Sequence, residues 1–304
     1  MKTVRHYALG SVAVTGLALS GCGYLGFGDS ITIGAKSFTE QYILSEMTYF
    51  ILEDAGYQVR QVENLGSNVL RSALENGQVD ITWEYTGTAI ATYLNMEPIT
   101  DPEEAYATLQ EVDVENGLHW MNISEVNNTY ALIMNRTQAE DLGIESLSDL
   151  ADYVNENPGE ISMGTDAAFA NRADGLPGLE EAYGFEFGSG NIEYMDAGLL
   201  YEALYNEELE VAMGYETDAR IDDYDQVILE DDEVFFAPYN AAVHMRLDVF
   251  EENPEIEELL RPLAETLDSE IMRGLNYQVD IERQSVALVA HEFLVEEGFI
   301  EGDN

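Results

Sequence analysis

Asn76-Gly-Gln-Val-Asp-Ile-Thr-Trp-Glu-Tyr85-Thr-Gly-Thr88 and Asn206-Glu-Glu-Leu-Glu-Val-Ala-Met-Gly-Tyr215-Glu-Thr-Asp218 share one shape. Each follows an Ala-Leu pair, Ala73-Leu74 and Ala203-Leu204, and Asn206 and Tyr215 each lie 130 positions beyond Asn76 and Tyr85. Both copies read as the end of a helix, a turn at Asn, an apolar strand with acidic flanks, and a tyrosine at the strand's carboxyl end. Ligands of open α/β sheets collect at that end. Two such units predict two similar halves, each sending one tyrosine into a shared cleft.

Outward from these units, strands and helices alternate. Ile31–Gly34 reads as a β-branched strand running into Ala35-Lys36-Ser37-Phe38-Thr39-Glu40, where Ser37 and Glu40 have capping-box spacing. The helix that follows carries Ile43, Met47, Phe50 and Ile51 on one stripe and stops at Gly56. Further strands are expected at Gln58–Asn64, Ala131–Met134, Ile161–Gly164, Ile192–Met195 and Ala241–Met245. Asp101-Pro102 and Ser148 are read as helix starts, and Pro254–Thr266, Ser269–Gln278 and Ser285–Glu297 as terminal helices. Alternation of this kind predicts mostly parallel sheets flanked by helices. Asn127–Tyr130 and Phe235–Tyr239 read as two adjacent crossings between lobes. The expected architecture is α/β and two-lobed: residues 30–127 plus 240–304 form the first lobe, 128–239 an inserted second, with a cleft and hinge between. Such lobes close around a ligand by hinge motion.

The 304 residues include 12 basic and 60 acidic side chains, a net charge of −48, yet 46% are hydrophobic and 10% aromatic. A chain so rich in apolar residues folds, and its acid forms a solvated surface. Such a surface excludes nucleic acid as a partner. It suits concentrated salt, where screening shortens the reach of like-charge repulsion to ~3 Å. At the N-terminus, Lys2 and Arg5 precede a small apolar run from Ala8 to Leu19, and Leu19-Ser20-Gly21-Cys22 matches a lipoprotein cleavage box. Residues 1–21 are expected to be a signal peptide, Cys22 the lipidated residue, and 22–29 a tether holding the body outside the cell membrane.

Catalytic patterns are absent from the sequence. His119, His244 and His291 stand far apart, with no metal spacing or nucleophile relay, and the phosphate- and dinucleotide-binding glycine loops are missing. No enzyme, cofactor or metal is expected. Aromatic and cationic residues stand out instead. Tyr85, Tyr130, Tyr215 and Tyr239 each fall at a strand end or a crossing. Phenol rings facing one cleft hold a quaternary ammonium, which has no N–H to donate, at about 0.5–2 kcal/mol per face. Lys2 and Lys36 are the only lysines, so Lys36 is alone once a leader is removed. It sits between a strand and a helix N-terminus, a position suited to an anion. Arg172 occupies the comparable loop of the second half, and Thr88 lies just past Tyr85. Lys36, Arg172 and Thr88 around a carboxylate, beside four rings around an ammonium, describe a trimethylammonium carboxylate.

Gly34-Ala-Lys36-Ser-Phe-Thr-Glu-Gln-Tyr-Ile-Leu, Glu84-Tyr-Thr-Gly-Thr88, Asp174-Gly-Leu-Pro, Tyr183-Gly-Phe-Glu-Phe187 and Leu275-Asn-Tyr-Gln-Val279 resemble the substrate-binding proteins of osmoprotectant ABC transporters, which take up glycine betaine, proline betaine, choline and relatives. The similarity runs from about Ile31 to Phe299. It implies a type II periplasmic-binding fold, no enzymatic activity, and a permease and ATPase as partners. The archaeal betaine-binding branch carries a tyrosine box onto Tyr85, Tyr130, Tyr215 and Tyr239, and carboxylate contacts onto Lys36, Thr88 and Arg172. That branch also has an Asp whose main-chain carbonyl faces the cation; here the position is Asn128. Choline-preferring relatives lack the lysine, so the resemblance favours a betaine over choline. A sensor domain or an enzyme on the same fold is the remote alternative.

Overall fold

The computed structural model describes residues 30–172 and 174–302. The expected signal peptide, the tether and Cys22 lie outside the described residues. Ten strands are described: β1 (Ile31–Lys36), β2 (Val59–Leu65), β3 (Ile81–Tyr85), β4 (Leu118–Asn127), β5 (Tyr130–Asn135), β6 (Met163–Thr165), β7 (Ile192–Tyr194), β8 (Val211–Tyr215), β9 (Gln226–Ile228) and β10 (Asn240–Arg246). They form two five-stranded sheets, ordered β2-β1-β3-β10-β4 and β7-β6-β8-β5-β9. Neighbours are parallel except where β10 pairs with β3 and β4, and where β5 pairs with β8 and β9. Those two antiparallel strands are the ones the chain enters after crossing from the other sheet. Each sheet buries its own apolar core under its flanking helices, one around Ile33, Trp83 and Val243, the other around Leu132, Phe169 and Met213. This is the two-lobed α/β architecture with a hinge expected from the alternation. No helix among the described residues is long and apolar enough to cross a membrane.

The 130-residue offset extends well past the two quoted units. Asn76 and Asn206 end the helices Ser67–Glu75 and Ala197–Tyr205 with nearly equal backbone angles, and Gly77 and Glu207 both follow in the left-handed region, at φ 69° and 59°. Asp80 then accepts the backbone N–H of Thr32 at 2.8 Å, while Glu210 accepts that of Ser162 at 2.8 Å. These acidic flanks tie each tyrosine-bearing strand to the start of its parallel neighbour. Gly34 and Gly164 complete the match. An added Cβ would collide with Leu70 and Val79 at the first, and with their counterparts Leu200 and Leu209 at the second. A side chain at either would overpack, because the helix and the turn after it lie directly on β1 and on β6, the strands beside β3 and β8.

Three local readings are corrected. Ser37 and Glu40 form no capping box: the helix Thr39–Asp54 starts after an extended Phe38 without a side-chain cap. The helix expected at Ser148 starts one residue earlier, Leu147–Glu156, with Ser146 and Asp149 making the capping box. β4 and β9 were not anticipated; β4 is buried on an irregular pattern because it packs between β10 and helices, which erases the two-residue alternation. Asp101 does cap Pro102–Val112, accepting the N–H of Glu104 at 2.8 Å.

Candidate functional site

Two short crossings join the sheets, and their main chains are stitched together. The Asn128 N–H donates to the Tyr239 carbonyl at 3.2 Å, the Tyr239 N–H to Asn127 Oδ1 at 2.7 Å, and the Thr129 hydroxyl to the Ala237 carbonyl at 2.9 Å. β3 and β8 point their carboxyl ends at this hinge from opposite sides. The result is a cavity of about 500 Å³ between the lobes, lined from both.

Of the residues singled out from sequence, Lys36, Tyr85, Thr88, Asn128, Tyr215 and Tyr239 line this cavity. Tyr130 and Arg172 are not among its lining residues. Tyr130 leans on Tyr215, ring centroids 5.2 Å apart, so it supports one wall from behind. Arg172 holds Asp174 with two guanidinium nitrogens and reaches the Tyr130 hydroxyl at 3.3 Å. It flanks the aromatic cluster from the second lobe.

Tyr239 owes its place to Gly87. A Cβ there would come within 2.6 Å of the Tyr239 ring, so the glycine of Glu84-Tyr-Thr-Gly-Thr88 lets that ring lie against the backbone. Phe38 adds an aromatic that the sequence reading missed. It is 37% exposed and stacks on Tyr85 with centroids 6.2 Å apart. Its position two residues after Lys36 in the quoted motif was the available signal.

Lys36 is 5% exposed, and its ammonium is bonded to Glu84, itself 1% exposed, while lying 4.9 Å from the Tyr85 ring centroid. Glu84 also accepts from the Tyr93 hydroxyl at 2.6 Å and the Tyr85 N–H at 2.8 Å. The pair fixes Lys36 at the base of the cavity. An ammonium has three N–H donors, so two remain for a ligand. The net charge of the pair is nevertheless zero.

Glu40 is another lining residue that sequence reasoning missed. Freed of a capping role, its carboxylate turns into the cavity and is 2% exposed. The Tyr85 hydroxyl donates to it at 2.5 Å, Asn128 at 3.3 Å and Asn276 at 3.5 Å, and the Thr217 side chain also reaches it. Burial pushes its pKa up, and these four donors pull in the opposite direction without cancelling the rise. Burial together with the negative charge of Glu40 raises the Tyr85 phenol well above its ordinary value, so that ring remains a neutral donor. Arg220, from the second lobe, lines the cavity but is held by Asp218 at 2.5–2.8 Å.

The cavity thus combines aromatic faces from both lobes, one buried carboxylate and cations that already have acidic partners. Aromatic faces of this kind have the chemistry to attract a methylated cation, and the hydroxyls and amides are placed to orient a small ligand. Among the described residues no group of three His, Cys, Asp or Glu side chains has metal-ligand geometry.

Residues 29–296 match the family described as the substrate binding domain of the ABC-type glycine betaine transport system. The chain is 40% identical over 290 residues to a glycine-betaine-binding protein of Pseudomonas aeruginosa, an overlap covering 94% of this chain and 92% of that one. It is 35% identical to a carnitine transport binding protein of Listeria monocytogenes, over 99% of both chains. A crystal structure titled as a glycine betaine/carnitine/choline ABC transporter superposes with a TM-score of 0.83 at 33% identity, covering 89% of this chain and 99% of that one.

Proposed function

The chain belongs to the substrate-binding domains of ABC-type glycine betaine transport systems, and on that premise we propose that it captures glycine betaine in the cavity between its lobes. As a binding component of an ABC importer it is a transport protein rather than an enzyme. It works on the extracytoplasmic side with a permease and an ATPase. Residues 30–127 with 240–304, and 128–239, are the two bodies that close on the ligand. Lipidation at Cys22, after removal of residues 1–21, holds the protein at the membrane.

The observation that carries this reading is the meeting of Tyr85, Tyr215 and Tyr239 at one cavity, from one lobe, the other lobe and the hinge. The trimethylammonium group lies among these rings, with Tyr130 backing Tyr215. The carboxylate lies toward Lys36 and Thr88, and Arg172 approaches it when the lobes close. Calorimetric titration at high salt is the test. Glycine betaine should bind, and Tyr85→Ala or Tyr215→Ala should each weaken binding by about tenfold or more. Unchanged affinity in both variants would sink the reading.

A second reading, choline as the ligand, is favoured by one observation: Glu84 already balances the charge of Lys36. Lys36→Ala separates the two. It should weaken glycine betaine far more than choline if a ligand carboxylate rests there, and both equally if none does.

A further inference from the structure

Each cation near the cavity has its own acid, but one fully buried acid has no cation. Lys36 is paired with Glu84, Arg220 with Asp218 and Arg172 with Asp174. Glu40 makes no ion pair among the described residues, although it is almost fully buried. Its donors are a phenol, two amides and a hydroxyl, all neutral. They satisfy its lone pairs without supplying the countercharge that a buried carboxylate requires. Asp280 also lines the cavity without an ion pair, accepting from Thr39 at 2.6 Å, but it is only partly buried and water screens it.

We infer that the missing countercharge is the ligand's own quaternary ammonium, so that Glu40 sets how strongly the cavity prefers net-cationic ligands over zwitterionic ones. This rests on the reading of the cavity as a quaternary-amine site. The chemistry is electrostatic rather than hydrogen-bonded. A methylated ammonium donates nothing to Glu40, so the carboxylate keeps its four donors and acts through space across the Tyr85 ring that it holds. Choline, with one positive charge, gains this attraction in full. Glycine betaine gains it at the ammonium and loses part of it at its carboxylate, which Glu40 repels. Glu40 also takes donors from the hinge (Asn128) and from the second lobe (Thr217). Its charge therefore sits where the lobes meet, and closure around the ligand removes the water that would screen it.

The experiment is calorimetric titration of choline and glycine betaine against the wild-type protein, Glu40→Gln and Glu40→Asp, each checked by thermal melting. Glu40→Gln keeps the shape and most hydrogen bonds while removing the charge. It should weaken choline by about tenfold or more and glycine betaine by clearly less, since only the interaction of a net charge is lost. Glu40→Asp keeps the charge but draws it back by one methylene. It should shift the choline-to-betaine ratio in the same direction by only a few-fold, which keeps the inference exposed even where the glutamine variant fails to fold. Glu181→Gln, at an exposed carboxylate away from the cavity, should leave the ratio within about twofold. A ratio unmoved by both Glu40 variants, in a protein that binds either ligand, would overturn the role of Glu40 alone. Wild-type protein that binds neither ligand would overturn the receptor reading and this inference with it.

Discussion

The two lobes share a scaffold and differ in what they send into the cavity. At the position 130 residues after Lys36 the second lobe has Asp166, and at the position matching Glu84 it has Gly214. Tyr85 is 4% exposed, donates to Glu40 and lies under the Lys36 ammonium. Tyr215, its equivalent, is half-buried and rests on Tyr130, itself packed on Phe169 at 5.1 Å. The first lobe therefore supplies the buried charges and a rigid floor, and the second a layered aromatic wall beside the more open Arg220–Asp218 pair. The Asp and Glu that tie strand to strand, and the glycines under the helices, are the same in both because they serve the fold. The divergent pairs, Lys36 with Asp166 and Glu84 with Gly214, fall at the carboxyl ends of the strands, where the cavity lies.

The largest expected effect would break the charged half. Lys36→Met leaves Glu84 buried without its partner, and removing one member of a buried pair costs about 3–5 kcal/mol. Urea unfolding should show that loss, with much of it restored by adding Glu84→Gln. Next come the paired tyrosines. Tyr85→Ala should lower glycine betaine affinity by about a hundredfold or more, and Tyr215→Ala by about tenfold or more, since the first also releases Glu40. Equal losses would mean that the two halves contribute alike. Gly34→Ala and Gly164→Ala test the shared scaffold: each should cost about 1–3 kcal/mol by overpacking, at matching cost and with little change in ligand affinity for the molecules that remain folded.

The smallest effect concerns acid. Burial raises the pKa of Glu40 in the folded protein above the ordinary value of about 4.3. The folded state therefore holds that proton over a range where the unfolded state has lost it. Ligand-free stability attributable to Glu40 is full below the unfolded pKa and declines as pH rises through the folded one. Glu40→Gln should flatten that part of the decline, seen as a melting-temperature difference between variant and wild type that grows with pH. A constant difference would show that Glu40 carries no shifted proton.

Much of the scaffold was legible because its signals are local. Asn76 and Asn206 end helices, Asp101-Pro102 starts one, and the apolar strands are short and bounded by turn residues. β4 was hidden because its burial comes from neighbours on both sides rather than from an alternating pattern. Glu40 was misread for a related reason. Its spacing from Ser37 fits a helix cap, and no local feature reveals that the helix begins at Thr39 with the carboxylate turned away.

The sequence by itself determined most of the strand-and-helix order, the twofold recurrence and three of the rings that line the cavity, since these depend on spacing and residue type along the chain. Tertiary structure decided which charges are buried at the cavity and which are paired. Lys36 and Glu84 are 48 residues apart, and Glu40 and Asn276 are 236 apart. Whether a buried charge is answered by the protein or left for a ligand depends on distances of a few ångströms between such residues, and only folding sets those distances.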